Sequence, residues 1–86
     1  MRLNKNFVYH ISNGEAVLIP AGNAKFSGIV RGNKTLGAIL ELLQTDTSAE
    51  EMTAKLTERF DVSEEIASRD IQRVLSELQK IGAVDQ

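Results

Sequence analysis

The chain has 86 residues, no cysteine, a single histidine and a formal net charge of -2. That length holds one domain with one core, burying roughly 60% of its unfolded surface. Disulfides, zinc–thiolate sites and iron–sulfur clusters are excluded, which fits a reducing, cytoplasmic setting, and no N-terminal apolar run is long enough for a signal peptide or a membrane span. Residues 1–6 are polar and read as a flexible start to the domain, which spans 1–86. Phe7-Val8-Tyr9-His10-Ile11-Ser12 is β-rich, with Phe7, Tyr9 and Ile11 on one face. Asn13-Gly14 predicts a type I′ hairpin turn, because both central positions need positive φ. Glu15–Ile19 is the return strand, and Pro20 ends it by removing a ladder donor. Ala21-Gly22-Asn23 reads as a loop, and a third strand is predicted from about Lys25 to Arg31. Gly28 inside it marks a bulge, a bend or a close backbone approach.

The periodicity then changes from two to 3.6. Asn33 caps a first helix with Leu36, Ile39, Leu40 and Leu43 on one stripe. Thr47-Ser48-Ala49-Glu50 reads as a capping box, with Thr47 at the cap, opening a second helix with Met52, Leu56 and Phe60 on one side. Ser63, Glu64 and Glu65 open a third helix carrying Ile66, Ile71, Val74, Leu75, Leu78 and Ile81, and Gly82 ends it as a left-handed cap. Three strands followed by three helices predict an α+β, winged-helix-like domain with a three-stranded antiparallel sheet.

The charge is divided. Residues 1–37 carry a balance of +4 and the rest a balance of -6, so the sheet half is basic and the helical half acidic. Surface helices favour glutamate, which accounts for this blandly. It also suits a basic strand edge that attracts an acidic peptide. If the third strand lies at the sheet edge, its outer N–H and C=O groups invite another strand. No nucleophile stands near a base, no glycine-rich phosphate loop follows a strand, and no metal-ligand cluster is present, so no catalytic residue, metal or cofactor is assigned. His10 reads as a surface or packing residue, and Glu50-Glu51 and Glu64-Glu65 as helix-start carboxylates.

The chain carries, in order, Val17-Leu18-Ile19-Pro20-Ala21-Gly22, Phe26-Ser27-Gly28-Ile29-Val30 and Asn33-Lys34-Thr35-Leu36-Gly37. Leu42-Leu43, Arg59-Phe60-Asp61-Val62, Asp70-Ile71, Leu78 and Ile81-Gly82-Ala83-Val84 follow. In this order and spacing the sequence resembles the PqqD family, the small proteins and domains called RiPP recognition elements, over nearly its whole length from Phe7 to Val84. Two positions depart from the pattern: Gly32 stands where a large apolar residue usually precedes the capping Asn, and Leu40 aligns with a tryptophan of many relatives. The resemblance implies a non-catalytic protein that binds the leader segment of a ribosomally made precursor peptide. It presents that leader to a modifying enzyme, often a radical SAM enzyme. The leader adds as a strand antiparallel to the third strand, in a cleft flanked by the third helix. Carried over, the strand-adding edge is Phe26, Ser27, Gly28, Ile29, Val30 and Arg31, and the flanking helix is Ser63 to Ile81. On that helix Asp70, Arg73 and Val74 are the candidate contacts, with Arg31 facing a leader carboxylate. The helical pattern alone leaves open whether the flank of Asp70 and Val74 or that of Gln72 faces the peptide. Pro at Val30 is expected to remove a main-chain donor from the ladder.

Two other readings stay open at this point. A winged helix can bind DNA, but the third helix mixes Arg69, Arg73 and Lys80 with Glu64, Glu65, Asp70 and Glu77, and phosphate contacts need a net positive face. The same sheet edge can also serve a homodimeric structural module. The expected partners are the precursor peptide and the modifying enzyme, with neither nucleic acid nor membrane, and the chain a monomer or weak homodimer.

Overall fold

Asn13 and Gly14 turn the chain with φ of 53° and 78°, the two positive values that a type I′ turn requires. They join β1 (Phe7–Ser12) to β2 (Glu15–Pro20). The turn sets the register from Ser12 opposite Glu15 to Phe7 opposite Pro20. β3 (Val30–Gly32) pairs with the other side of β2, so the antiparallel sheet has the order β1-β2-β3 with β3 at an edge. The computed structural model describes residues 1–22, 24–25 and 28–84.

The third strand is shorter and later than the predicted Lys25–Arg31. Gly28 takes φ of 137°, a value that a pleated strand does not use, and bends the chain there. Of the three readings open for this glycine, the bend is the one found. Ile29 therefore lies outside the ladder, and pairing begins at Val30 and extends to Gly32. Phe26 and Ser27 lie outside the described residues.

Three helices follow: α1 (Lys34–Leu42), α2 (Ala49–Arg59) and α3 (Glu64–Lys80). The Asn33 side chain accepts from Thr35 N–H and Leu36 N–H at 3.1 and 3.3 Å, so the predicted cap is in place. Ser63 likewise accepts from Ile66 N–H at 3.2 Å. The α2 cap is shifted by one residue: Ser48, not Thr47, accepts from Glu51 N–H at 3.1 Å. Thr47 is taken up elsewhere, its N–H donating to the Met1 carbonyl at 2.8 Å and its carbonyl accepting from the Met1 amino group at 2.7 Å. α3 ends as predicted at Gly82, with φ of 77°. Gly82 N–H donates to Gln79 and Ala83 N–H to Leu78, at 3.1 and 2.8 Å, the paired bonds of a Schellman motif.

The core lies between the inner face of the sheet and the helices. Leu18 of β2 shares one fully buried cluster with Ile39, Leu40 and Leu43 of the α1 region, Met52 and Leu56 of α2, and Ile71 and Leu78 of α3. On α3 the buried stripe runs Ala67, Ile71, Val74, Leu75 and Leu78, whereas Ile66 stays outside at 48% exposure. Residues 1–6, read as flexible in the sequence, make main-chain contacts with the rest of the domain. Leu3 N–H donates to Leu43, Asn4 N–H to Ala83, and Leu3 bridges Val84. The molecular surface of 5541 Å² leaves about 60% of the extended-chain area buried, the level of a marginal small domain in which losing one contact is measurable.

Candidate functional site

The main-chain groups that β3 turns outward follow from the alternation of an antiparallel ladder, in which hydrogen-bonded and non-bonded pairs take turns. Ser12 and Glu15 close a two-residue turn and therefore form a hydrogen-bonded pair. The same phase continues past the strand ends, where Ala21 N–H donates to the Asn6 carbonyl at 2.7 Å. Glu15, Val17 and Ile19 thus spend their backbone groups on β1, and Ala16 and Leu18 turn theirs toward β3. Because Ala16 faces Gly32, Val17 faces Arg31 and Leu18 faces Val30, Val30 and Gly32 are bonded inward. Arg31 presents both its N–H and its C=O to the outside. The expectation for proline at Val30 is corrected by this phase: that N–H serves the sheet itself, and the outward donor is that of Arg31.

Beside this edge runs a groove of about 180 Å³ between β3 and α3. Its apolar lining comes from Val30, Leu36, Val74 and Leu78, and Arg31, Arg73 and Glu77 supply its charged groups. The structure therefore brings four of the sequence candidates together: Val30, Arg31, Arg73 and Val74. Asp70 reaches the site through Arg73, whose guanidinium stands 4.0 Å from its carboxylate. The groove lies on the α3 flank of Val74. Gly28 and Ile29 precede the regular edge, Ile29 with 56% exposure.

Sequence reasoning missed Gly32, Leu36, Glu77 and Leu78. Glu77 and Leu78 lie one helical turn beyond Arg73 and Val74, so the i, i+4 spacing carried a signal for them. Gly32 and Leu36 are a matched pair. A Cβ at Gly32 would lie 2.5 Å from Leu36 Cδ2 and 2.9 Å from Leu36 Cβ. The Leu36 side chain occupies the space that a Cβ at Gly32 would enter.

The charges around the groove are compensated and solvent-facing. Arg31 stands 4.0 Å from Glu15, with both side chains more than half exposed, so that pair is weak. Arg73 lies between Asp70 and Glu77 at 4.0 and 3.9 Å, and Arg69 lies 3.3 Å from Glu65. α3 therefore offers a mixed face and not the uncompensated basic one that phosphate binding needs.

Comparison with known proteins adds two findings. Residues 15–84 match the family model described as Coenzyme PQQ synthesis protein D (PqqD). Among solved structures the chain is similar to one described as TbiB1 in complex with the TbiA(beta) leader peptide, with a TM-score of 0.76 and 19% sequence identity. The likeness covers 99% of this chain and 100% of that one, and at such identity it is a likeness of fold. A search of curated proteins finds no match.

Proposed function

The chain belongs to the PqqD family, and from that membership we propose that it captures the leader segment of a ribosomally made precursor peptide and presents it to a modifying enzyme. The observation that carries this reading is the outward N–H and C=O of Arg31 at a sheet edge, set beside a groove of mixed apolar and charged lining walled by α3. In this reading the leader adds as a strand antiparallel to β3, and the likeness to a structure in complex with a leader peptide supports a leader as the guest. Gly28 and Ile29 lead to the edge of Val30 and Arg31, and Arg73 and Val74 form the facing wall, with Asp70 beside Arg73.

The short edge decides where the affinity comes from. One hydrogen-bonded pair at Arg31 contributes roughly 1 kcal/mol per bond, and each apolar side chain buried in the groove contributes about 1.5–3 kcal/mol. The groove therefore outweighs the ladder, and selectivity resides in leader side chains. The protein acts as a binding partner in the cytoplasm, and the chemistry belongs to the enzyme that receives the leader, a radical SAM protein in this reading. No helix among the described residues is long and apolar enough to cross a membrane.

The test is a titration of isotope-labelled protein with synthetic leader segments from short peptides encoded nearby, followed by amide shifts. Saturable shifts confined to β3, the preceding residues and the Asp70–Leu78 side of α3 are the expected result. Saturable shifts elsewhere, or none with any such peptide, would overturn the proposal.

A further inference from the structure

The phase of β3 does more than locate an edge; it sorts the residues of any strand laid against it. In an antiparallel ladder, directly opposed side chains stand on the same face of the sheet. Val30 lines the groove on the inner face, the face on which Ala16 and Leu18 are buried. Gly32 shares that face. Arg31, one residue out of phase with both, projects its side chain to the outer face, where Glu15 is its neighbour.

A guest residue opposite Arg31 makes both main-chain bonds and points its own side chain outward, alongside the guanidinium. The guest residues on either side of it point inward. One meets Leu36, whose side chain fills the space in front of Gly32, and the other meets Val30, Val74 and Leu78. The two inward positions face the aliphatic side chains of the groove, whose lining also carries Arg73 and Glu77. The outward position faces a cation that is 66% exposed and whose only salt-bridge partner among the described residues is a carboxylate at 4.0 Å. The sheet half of the chain also carries a balance of +4.

We infer that the recognised leader contains an apolar–acidic–apolar triplet, with its acidic residue opposite Arg31 and its two apolar residues in the groove between β3 and α3. This rests on strand addition at β3 as the function of the edge, and it specifies the chemistry of the strand that is added. The triplet reads the same in both directions along side-chain positions, so it is a statement about phase and charge.

The test uses acetylated, amidated synthetic peptides of one length, with serine, threonine and glutamine flanks around a central triplet. The triplets are Leu-Glu-Leu, Leu-Lys-Leu and the out-of-phase Glu-Leu-Glu. Leu-Glu-Leu is expected to bind most tightly. Glu-Leu-Glu can bring only one leucine into the groove in any register and is expected to bind about tenfold more weakly. Arg31→Glu is expected to reverse the order of Leu-Glu-Leu and Leu-Lys-Leu. Amide hydrogen exchange gives a second readout: Leu-Glu-Leu should slow the Arg31 amide and leave Val30 and Gly32, already bonded to β2, unchanged. Shifts on β3 and α3 with equal affinity for Leu-Glu-Leu and Glu-Leu-Glu, or protection of Val30 in place of Arg31, would overturn the triplet and leave leader capture standing. An unreversed charge order in Arg31→Glu would overturn the acidic position alone. No saturable shifts on β3 or α3 with any of the peptides would overturn the triplet and strand addition at this edge together.

Discussion

Proline at two adjacent positions separates the inward from the outward side of β3. Val30→Pro removes an N–H that bonds β2 and leaves the carbonyl of buried Leu18 without its partner. An unsatisfied buried carbonyl costs roughly 1–3 kcal/mol. The ring also pushes against β2, so the total is about 2–4 kcal/mol, or a melting temperature lowered by roughly 10–20 °C in a domain of this size. Arg31→Pro removes an N–H that the sheet does not use, and edge strands accept proline where the missing donor faces outward. Its melting temperature should stay within about 5 °C of the parent. Leader binding should respond in the opposite sense. Against Arg31→Ala as the reference for the lost side chain, Arg31→Pro loses one main-chain bond of roughly 1 kcal/mol and gains a ring in the ladder, so its Kd should rise at least about fivefold. Thermal unfolding followed by circular dichroism and titration of a labelled leader read the two effects separately. If Arg31→Pro melts as early as Val30→Pro, or binds leader as tightly as Arg31→Ala, the assigned phase is wrong.

The remaining predictions rest on other contacts. Arg31→Glu should weaken an acidic leader and flatten the dependence of its affinity on salt, and an unchanged affinity at low ionic strength would refute this. Gly32→Ala drives a Cβ to 2.5 Å from Leu36 Cδ2 and should cost about 1–3 kcal/mol in urea unfolding, a penalty that shrinks in a Leu36→Ala background. Gly82→Ala meets no atom within 4 Å, so only its φ of 77° opposes it, and a loss of about 1–2 kcal/mol is expected. The Met1 amino group donates to Asp46 at 2.7 Å and holds its carboxyl below the usual carboxylate range, first through that hydrogen bond and then through its charge. A carboxyl lowered on folding adds stability above its unfolded pKa and gives it up as pH falls through the lowered value. Carbon-detected titration of Asp46 should show the depressed midpoint, and acetylation of the amino group should raise it again.

What the sequence disclosed were features whose physics is local. The positive φ values of Asn13 and Gly14, the Asn33 and Ser63 caps and the Gly82 stop each depend on a few neighbouring residues. The order of elements followed from the switch of period. The α2 cap was misread by one residue because Thr47 and Ser48 have equivalent hydroxyls, and the choice between them is made by Met1, far away in sequence. The start of β3 was misread because β propensity continues through the bend at Gly28. The α3 stripe included Ile66 because an apolar residue was taken as a buried one, whereas Ala67 completes the buried face. Of the candidate site, the edge was expected from the family pattern and Arg73 and Val74 from the flank of the α3 stripe, and the groove brings Val30, Arg31, Arg73 and Val74 together. Gly32 and Leu36 were not expected, because their fit is a contact between a strand end and a helix. The phase of the edge needs the pairing of Val17 with Arg31, which no local signal contains.

The outward pair at Arg31 also bears on the molecule's relations with its own kind. Two copies joined antiparallel, edge to edge about a twofold axis at Arg31, set Arg31 against its own symmetry mate and Val30 against Gly32 of the other copy. The outward-bonding residue of the strand is Arg31, so a ladder centred there stacks guanidinium against guanidinium on one face, a like-charge pair across strands. An exposed edge is ordinarily a standing invitation to self-pairing. Here the side chain suited to an acidic guest carries the sign that repels a second copy, so the dock is guarded by the residue that serves it.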